Sequence, residues 1–209
     1  MSLRIAILIF DGLTALDAIG PYEVLSRLPE AELSFVAKEP GLKRTDTGAL
    51  GISADRAIAE VPEPEVVLVP GGEGNRPLMS DTEVLDWLRA AHERTTWTTS
   101  VCTGALVLAA AGILDGKRAT THWAYRERLR ELGADPVAER VVEDGKIITG
   151  AGVSAGIDMA LTLAARIAGE SVAEAIQLGI EYDPDPPFDT GSPDKAPTEL
   201  VDLIRSSEG

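Results

Sequence analysis

The sequence predicts an α/β fold: a three-layer α/β/α sandwich around a mostly parallel sheet, formed by a single domain over residues 1–209. Three observations carry this prediction. Short continuous apolar runs suit strands buried on both faces, the habit of parallel sheets. Stretches with apolar residues at helical spacing alternate with those runs. Gly, Pro and Asp end several of the runs abruptly. The composition allows a packed core, since 209 residues with 44% hydrophobic and 25% charged side chains are ordinary globular values. Aromatic residues make up only 4%, so aliphatic side chains and alanine must build most of that core.

Taken in order, Ile5 to Phe10 reads as the first strand, ended by Asp11-Gly12. A helix follows from about Ala15, with Val24, Leu25 and Leu28 on one side and Pro21 expected to kink it or start a new helix. Leu33 to Ala37 reads as a strand, and Leu42 to Asp55 as a short hairpin or loop excursion. Val66 to Val69 is a compact strand between Pro64 and Pro70. Thr82 to Glu93 has helical periodicity with Asp81 as N-cap. Trp97 to Val101 is a strand, Thr103 to Ala111 a closely packed helix of small residues, and Ala119 to Thr121 a short strand. Trp123 to Leu132 is a helix stopped by Gly133. Val141-Val142 and Ile147-Ile148 flank Glu143-Asp144-Gly145-Lys146, a hairpin signal. Helices are expected over Ser154–Ala168, Ser171–Leu178 and Pro197–Arg205, the last after a proline-rich tail that begins near residue 183.

The formal charge of -15 opposes phosphate backbones, so no nucleic-acid partner is expected. One cysteine permits no internal disulfide and fits a reducing cytoplasm. No apolar run reaches the roughly 18 residues of a membrane span, and the N-terminal segment lacks the features of a signal peptide. No His/Cys cluster has metal-ligand spacing and no phosphate-binding glycine motif occurs, so neither metal nor cofactor is expected.

Three strand ends carry the chemistry: Asp11-Gly12 with nearby Asp17, Pro70-Gly71-Gly72, and Val101-Cys102-Thr103-Gly104. In a parallel sheet all three fall on one edge, where ligands bind in open α/β sheets. Cys102, between a strand and a helix, is the expected nucleophile, with the helix N-terminus expected to lower its thiol pKa from about 8.5. Gly71, Gly72 and the Thr103 amide are expected to hold developing negative charge near the sulfur. If Asp17 reaches Cys102, the two acids cannot both ionise cheaply and should share a proton. His122 follows Thr120-Thr121 and is an orienting candidate, whereas His92 is expected to lie solvated on a charged helix face.

At these residues the sequence resembles the ThiJ/PfpI superfamily, which has the flavodoxin-like fold of class I glutamine amidotransferases. The likeness rests on Val69-Pro70-Gly71-Gly72, on Ser100 to Ala105 with Leu108 to Gly116, on Ala119 to Trp123, and on Phe10-Asp11-Gly12 with Asp17 and Gly20-Pro21. It runs from about Arg4 to about Pro193. An aspartate at position 17 and Cys102-Thr103 rather than Cys-His are similar to the isonitrile hydratase subgroup, as is Gln177 to Asp183. The resemblance implies Cys102 as nucleophile, Asp17 as acid and base, Thr103 in support and Asp183 lining the site. It also implies a small-molecule substrate and a homodimer.

Rival readings remain open at the sequence level. They are a glyoxalase- or deglycase-like enzyme on small carbonyls, typically with a glutamate acid, and an amidase or peptidase, which would need a His beside the nucleophile. A redox sensor or a metabolite-sensing domain is the non-catalytic alternative. Regulators built on similar domains carry a further C-terminal helix-turn-helix region, for which residues up to Gly209 leave no room.

Overall fold

The apolar run near the N-terminus forms β1 (Leu3–Leu8), in which Ile5, Ile7 and Leu8 are fully buried. A strand without a polar face must be covered on both sides, and β1 lies inside the sheet between two parallel neighbours. The computed structural model describes residues 2–207. After β1 the chain forms α1 (Ala15–Leu25), β2 (Ala31–Ala37), β3 (Gly41–Arg44), β4 (Gly51–Ala54), β5 (Arg56–Ala57) and β6 (Val66–Val69). Then come α2 (Asn75–Leu78), α3 (Thr82–Arg94), β7 (Trp97–Val101), α4 (Gly104–Ala110), β8 (Arg118–Ala119), α5 (Arg126–Glu131) and β9 (Asp135–Pro136). The hairpin β10 (Val141–Asp144) and β11 (Ile147–Gly150) precedes α6 (Ala155–Ala168), α7 (Glu170–Gly179) and α8 (Thr198–Ser207).

The main sheet has seven strands in the order β10-β11-β7-β6-β1-β2-β5. Every pair in it is parallel except β10 with β11. Helices α1, α6 and α7 pack together, and α2, α3 and α5 each pack on α4, giving the outer layers of a three-layer α/β/α sandwich. As expected, Asp81 caps α3, its Oδ1 accepting from the Glu83 and Val84 amides.

Three local expectations need correction. Pro21 does not start a new helix, because α1 runs through it. The ring lies where α1 passes close to α6, since a Cβ on Gly156 would sit 3.2 Å from Pro21 Cδ. The short strand expected at Ala119–Thr121 is Arg118–Ala119, paired with β9 outside the main sheet. Thr120 is instead tied to β11, its amide donating to Thr149 Oγ1 at 2.8 Å. The helix expected over Trp123–Leu132 divides into a 3-10 turn at Trp123–Tyr125 and then α5.

Parallel strands all end at one edge, so β1, β6, β7 and β11 deliver residues 11–17, 70–72, 102–103 and 151–153 to the same place. Register brings β7 and its neighbours level there, with Ser100 opposite Val69 and Val101 opposite Gly150.

Candidate active site

Cys102 is the first residue after β7 and turns the chain sharply into α4. Its φ is +56°, a conformation that costs a residue with a Cβ on the order of 1–3 kcal/mol and persists only when neighbours enforce it. They do so here on each side of the residue. The Cys102 amide donates to the Gly150 and Ala151 carbonyls at 3.1 and 2.8 Å. The Cys102 carbonyl accepts from the Thr121 hydroxyl at 2.8 Å. The turn also needs Gly104, because a Cβ there would lie 2.0 Å from the Val69 carbonyl oxygen.

Asp17 sits in the first turn of α1, fully buried. Its Oδ2 accepts from the Gly71 amide at 2.9 Å. Its Oδ1 has no hydrogen-bond partner, and the Cys102 thiol is the neighbouring acid with which the carboxyl group interacts. The acid and the sulfur, 85 positions apart in sequence (102 − 17), thus meet as a buried pair. Burial, only partly offset by the Gly71 amide and the thiol, pushes the Asp17 pKa up to about 7.

The thiol does not behave as its place before a helix suggested. Burial first, then the charge of Asp17, pushes Cys102 up to about 12. The backbone N–H groups of Val153 and Thr103 pull in the opposite direction because they point at the sulfur. Those two amides are outweighed, and α4 is only seven residues long. At neutral pH the pair therefore retains at least one proton between sulfur and carboxyl group, as two acids in one dry site must.

Gly71 and Gly72 stand beside the sulfur without facing it. The Gly71 amide is committed to Asp17, and the Gly72 amide donates to Thr103 Oγ1 at 3.0 Å. Their anion-holding role expected from sequence needs correction: they brace the acid and Thr103, and the amides that reach the sulfur are those of Thr103 and Val153. Gly71 is nonetheless required by space, since a Cβ would come within 2.6 Å of both Thr103 N and Thr103 Oγ1.

A cleft of about 940 Å³ opens over Cys102, lined among others by Thr14, Thr103, Leu106, His122, Tyr125 and Val153. His122 packs against the β11–α6 loop, where a Cβ on Gly152 would fall 2.7 Å from its Cδ2. Asp183 is exposed at the start of the tail and does not line this cleft. Sequence reading missed three contributors. Asn75 is buried and donates from Nδ2 to the Thr103 carbonyl at 2.9 Å, Thr121 holds the Cys102 carbonyl, and Val153 supplies an amide at φ +24°. The Gly150-Ala151-Gly152 stop before an apolar helix was the available signal for the last of these. Among the described residues no group of three or more His, Cys, Asp or Glu side chains is arranged to hold a metal ion, and no helix is long and apolar enough to cross a membrane.

Comparison with known proteins places this geometry in context. The sequence is 48% identical over 205 residues to the isonitrile hydratase of Pseudomonas putida, covering 98% of this chain and 90% of that protein. It is 34% identical over 172 residues to the HTH-type transcriptional regulator CdhR of Pseudomonas aeruginosa, covering 78% of this chain but 49% of the regulator. The structure superposes on that of a ThiJ/PfpI family protein from Pseudomonas syringae with a TM-score of 0.95 and 38% identity, over 99% of this chain and 86% of that one. Residues 3–166 match the DJ-1/PfpI family, and with the strand-end cysteine and its fold-mates in place, the chain belongs to that family.

Proposed function

We propose that this protein is a cysteine-dependent isonitrile hydratase, adding water to a small isonitrile to give an N-substituted formamide. One observation carries the reading: Asp17 and Cys102 form a buried pair that keeps a proton at neutral pH, with Cys102 lining a partly apolar cleft and Asp17 behind it. The 48% identity to an isonitrile hydratase supports the choice of substrate class.

The chemistry asks for what such a pair offers. The terminal carbon of an isonitrile must gain a nucleophile and a proton in one step. Sulfur attacks that carbon while the proton held by the pair passes to it through Asp17, leaving a thioimidate on Cys102 and an ionised Asp17. Asp17 then takes a proton from water as the oxygen adds to the thioimidate carbon, and returns it to the nitrogen. Loss of the C–S bond releases the formamide, and the last hydroxyl proton returns to the pair. One water is consumed and the pair ends with the proton it began with. The Thr103 and Val153 amides stabilise the sulfur anion as it forms and as it leaves. The homodimer and the cytoplasmic location expected from sequence stay part of this proposal.

A redox-sensing role is disfavoured, since sensor thiols are exposed and of low pKa, and Cys102 is 6% exposed with its pKa raised. The test is formamide production from an aryl isonitrile by the wild type, Cys102→Ala and Asp17→Asn, with methylglyoxal loss followed in parallel. Wild type should turn over the isonitrile, with activity lost roughly a thousandfold or more in Cys102→Ala and a hundredfold or more in Asp17→Asn. An inert wild type defeats the substrate assignment. Full activity in Cys102→Ala defeats the mechanism.

A further inference from the structure

We propose that Thr121 is a positioning residue that tunes the Cys102 thiol through the peptide unit joining Cys102 to Thr103. A trans peptide is planar, and its C=O and N–H point in opposite directions. In this unit the carbonyl oxygen accepts from Thr121 Oγ1 at 2.8 Å, in a fully buried contact. Holding the oxygen on that side turns the Thr103 N–H to the other side, towards the Cys102 sulfur. Cys102 φ is +56°, so the unit does not rest in its ordinary well and needs an external hold to keep this orientation.

The surrounding contacts fix the peptide units on either side and leave the hydroxyl of Thr121 as the closest hold on the one between. The Cys102 amide is held by Gly150 and Ala151, which fixes the preceding peptide unit. The Thr103 carbonyl is held by Asn75 Nδ2, which fixes the following one. The unit whose N–H faces the sulfur is held at its carbonyl by the Thr121 hydroxyl at 2.8 Å and, more loosely, by the Ala105 amide at 3.4 Å, so the hydroxyl is the closer of the two holds. Its backbone neighbours hold it in turn: the Thr120 amide is bound to Thr149 Oγ1, and the His122 ring is packed on Gly152. Thr120 and Thr121 therefore brace the elbow from behind the cleft, which His122 lines. Thr121 touches no reacting atom.

The experiment needs no substrate, so it stands or fails separately from the hydratase reading. Cys102 is the chain's only cysteine, and its alkylation by iodoacetamide as a function of pH reports the thiolate directly. Thr121→Val removes the hydroxyl at nearly constant shape. With the Thr103 amide released, the alkylation profile should move to higher pH and the rate at pH 8 fall by roughly three- to tenfold. Thr121→Ser, which keeps the hydroxyl, should restore the wild-type profile. Thr121→Ala, which leaves room for a water, should fall between the two. A Thr121→Val profile that matches wild type overturns the proposal, as does a Thr121→Ser profile displaced as far as that of Thr121→Val. Failure of both the Val and Ala variants to fold, judged by circular dichroism, assigns the hydroxyl to folding and overturns it as well.

Discussion

The two ends of the sheet bury polar groups under opposite rules. At the amino ends of β7 and β11, Thr98 Oγ1 lies 2.8 Å from both His92 Nδ1 and Thr95 Oγ1. The Thr95 hydroxyl also reaches the His92 carbonyl at 3.2 Å, and Lys146 Nζ donates to the Thr95 and His92 carbonyls. Every member has a partner, and none of His92, Thr95, Thr98 and Lys146 has positive φ. His92, expected to be solvated, is half-buried and part of this network. At the carboxyl ends, Asp17 Oδ1 lacks any nitrogen or oxygen donor, and Cys102 and Val153 are held at positive φ. A closed network stabilises the fold; an open one keeps unspent hydrogen-bonding capacity and strain where a substrate can use them.

The largest break in this contrast should come from Gly71→Ala. A Cβ would crowd Thr103 N and Oγ1 at 2.6 Å and Asp17 Oδ2 at 2.9 Å. Backbone cannot yield cheaply, so the acid and the Thr103 amide must both shift. Isonitrile turnover should fall by roughly a hundredfold or more, because displacements of about 1 Å are felt at that scale. Steady-state kinetics beside a circular dichroism spectrum checks this, and an active variant would mean that the close approach is dispensable.

Next in size is a stability effect that runs against activity. The folded chain holds the Asp17 proton up to about pH 7, whereas the unfolded chain releases it near its ordinary value of about 3.9. Below both values the group costs nothing; as pH rises through that window the unfolded state sheds a proton the folded state keeps, and stability falls. Above about 7 the loss is complete. Asp17→Asn cannot ionise and can still accept from the Gly71 amide. Its advantage over wild type should be near zero at pH 4 and grow to on the order of 2–4 kcal/mol by pH 8. Urea unfolding at the two pH values reads this, and an advantage independent of pH would contradict it.

Sequence reading found what short-range patterns encode. Val66–Val69 and Trp97–Val101 had the stated boundaries because both are continuous buried runs with sharp stops. Pairing Asp17 with Cys102 was legible only as a conditional, since it depends on parallel strands delivering both to one edge. What escaped was long-range and polar: nothing near Asn75 in the sequence, and nothing in the strand reading of Thr121, shows that both reach Cys102-Thr103 once the chain folds. The thiol pKa was misjudged for the same reason. Position before a helix is visible in sequence, but the burial that outweighs it is not.

The smallest effect sharpens the comparison from its quiet end. Thr98→Val keeps the shape of a fully buried side chain and removes the hydroxyl shared by His92 and Thr95. Two partners in a dry interior lose a hydrogen bond each, which costs about 1–3 kcal/mol of stability. Nothing in that network contacts the cleft, and β7 itself is held in register by its backbone pairs to β6 and β11. Turnover at 25 °C should therefore stay within about twofold of wild type, the variant's loss being one of stability. Paired measurement of the unfolding midpoint and kcat decides it: a matching drop in both would show that the two ends of the sheet are energetically one network, and the division of labour drawn between them would be gone.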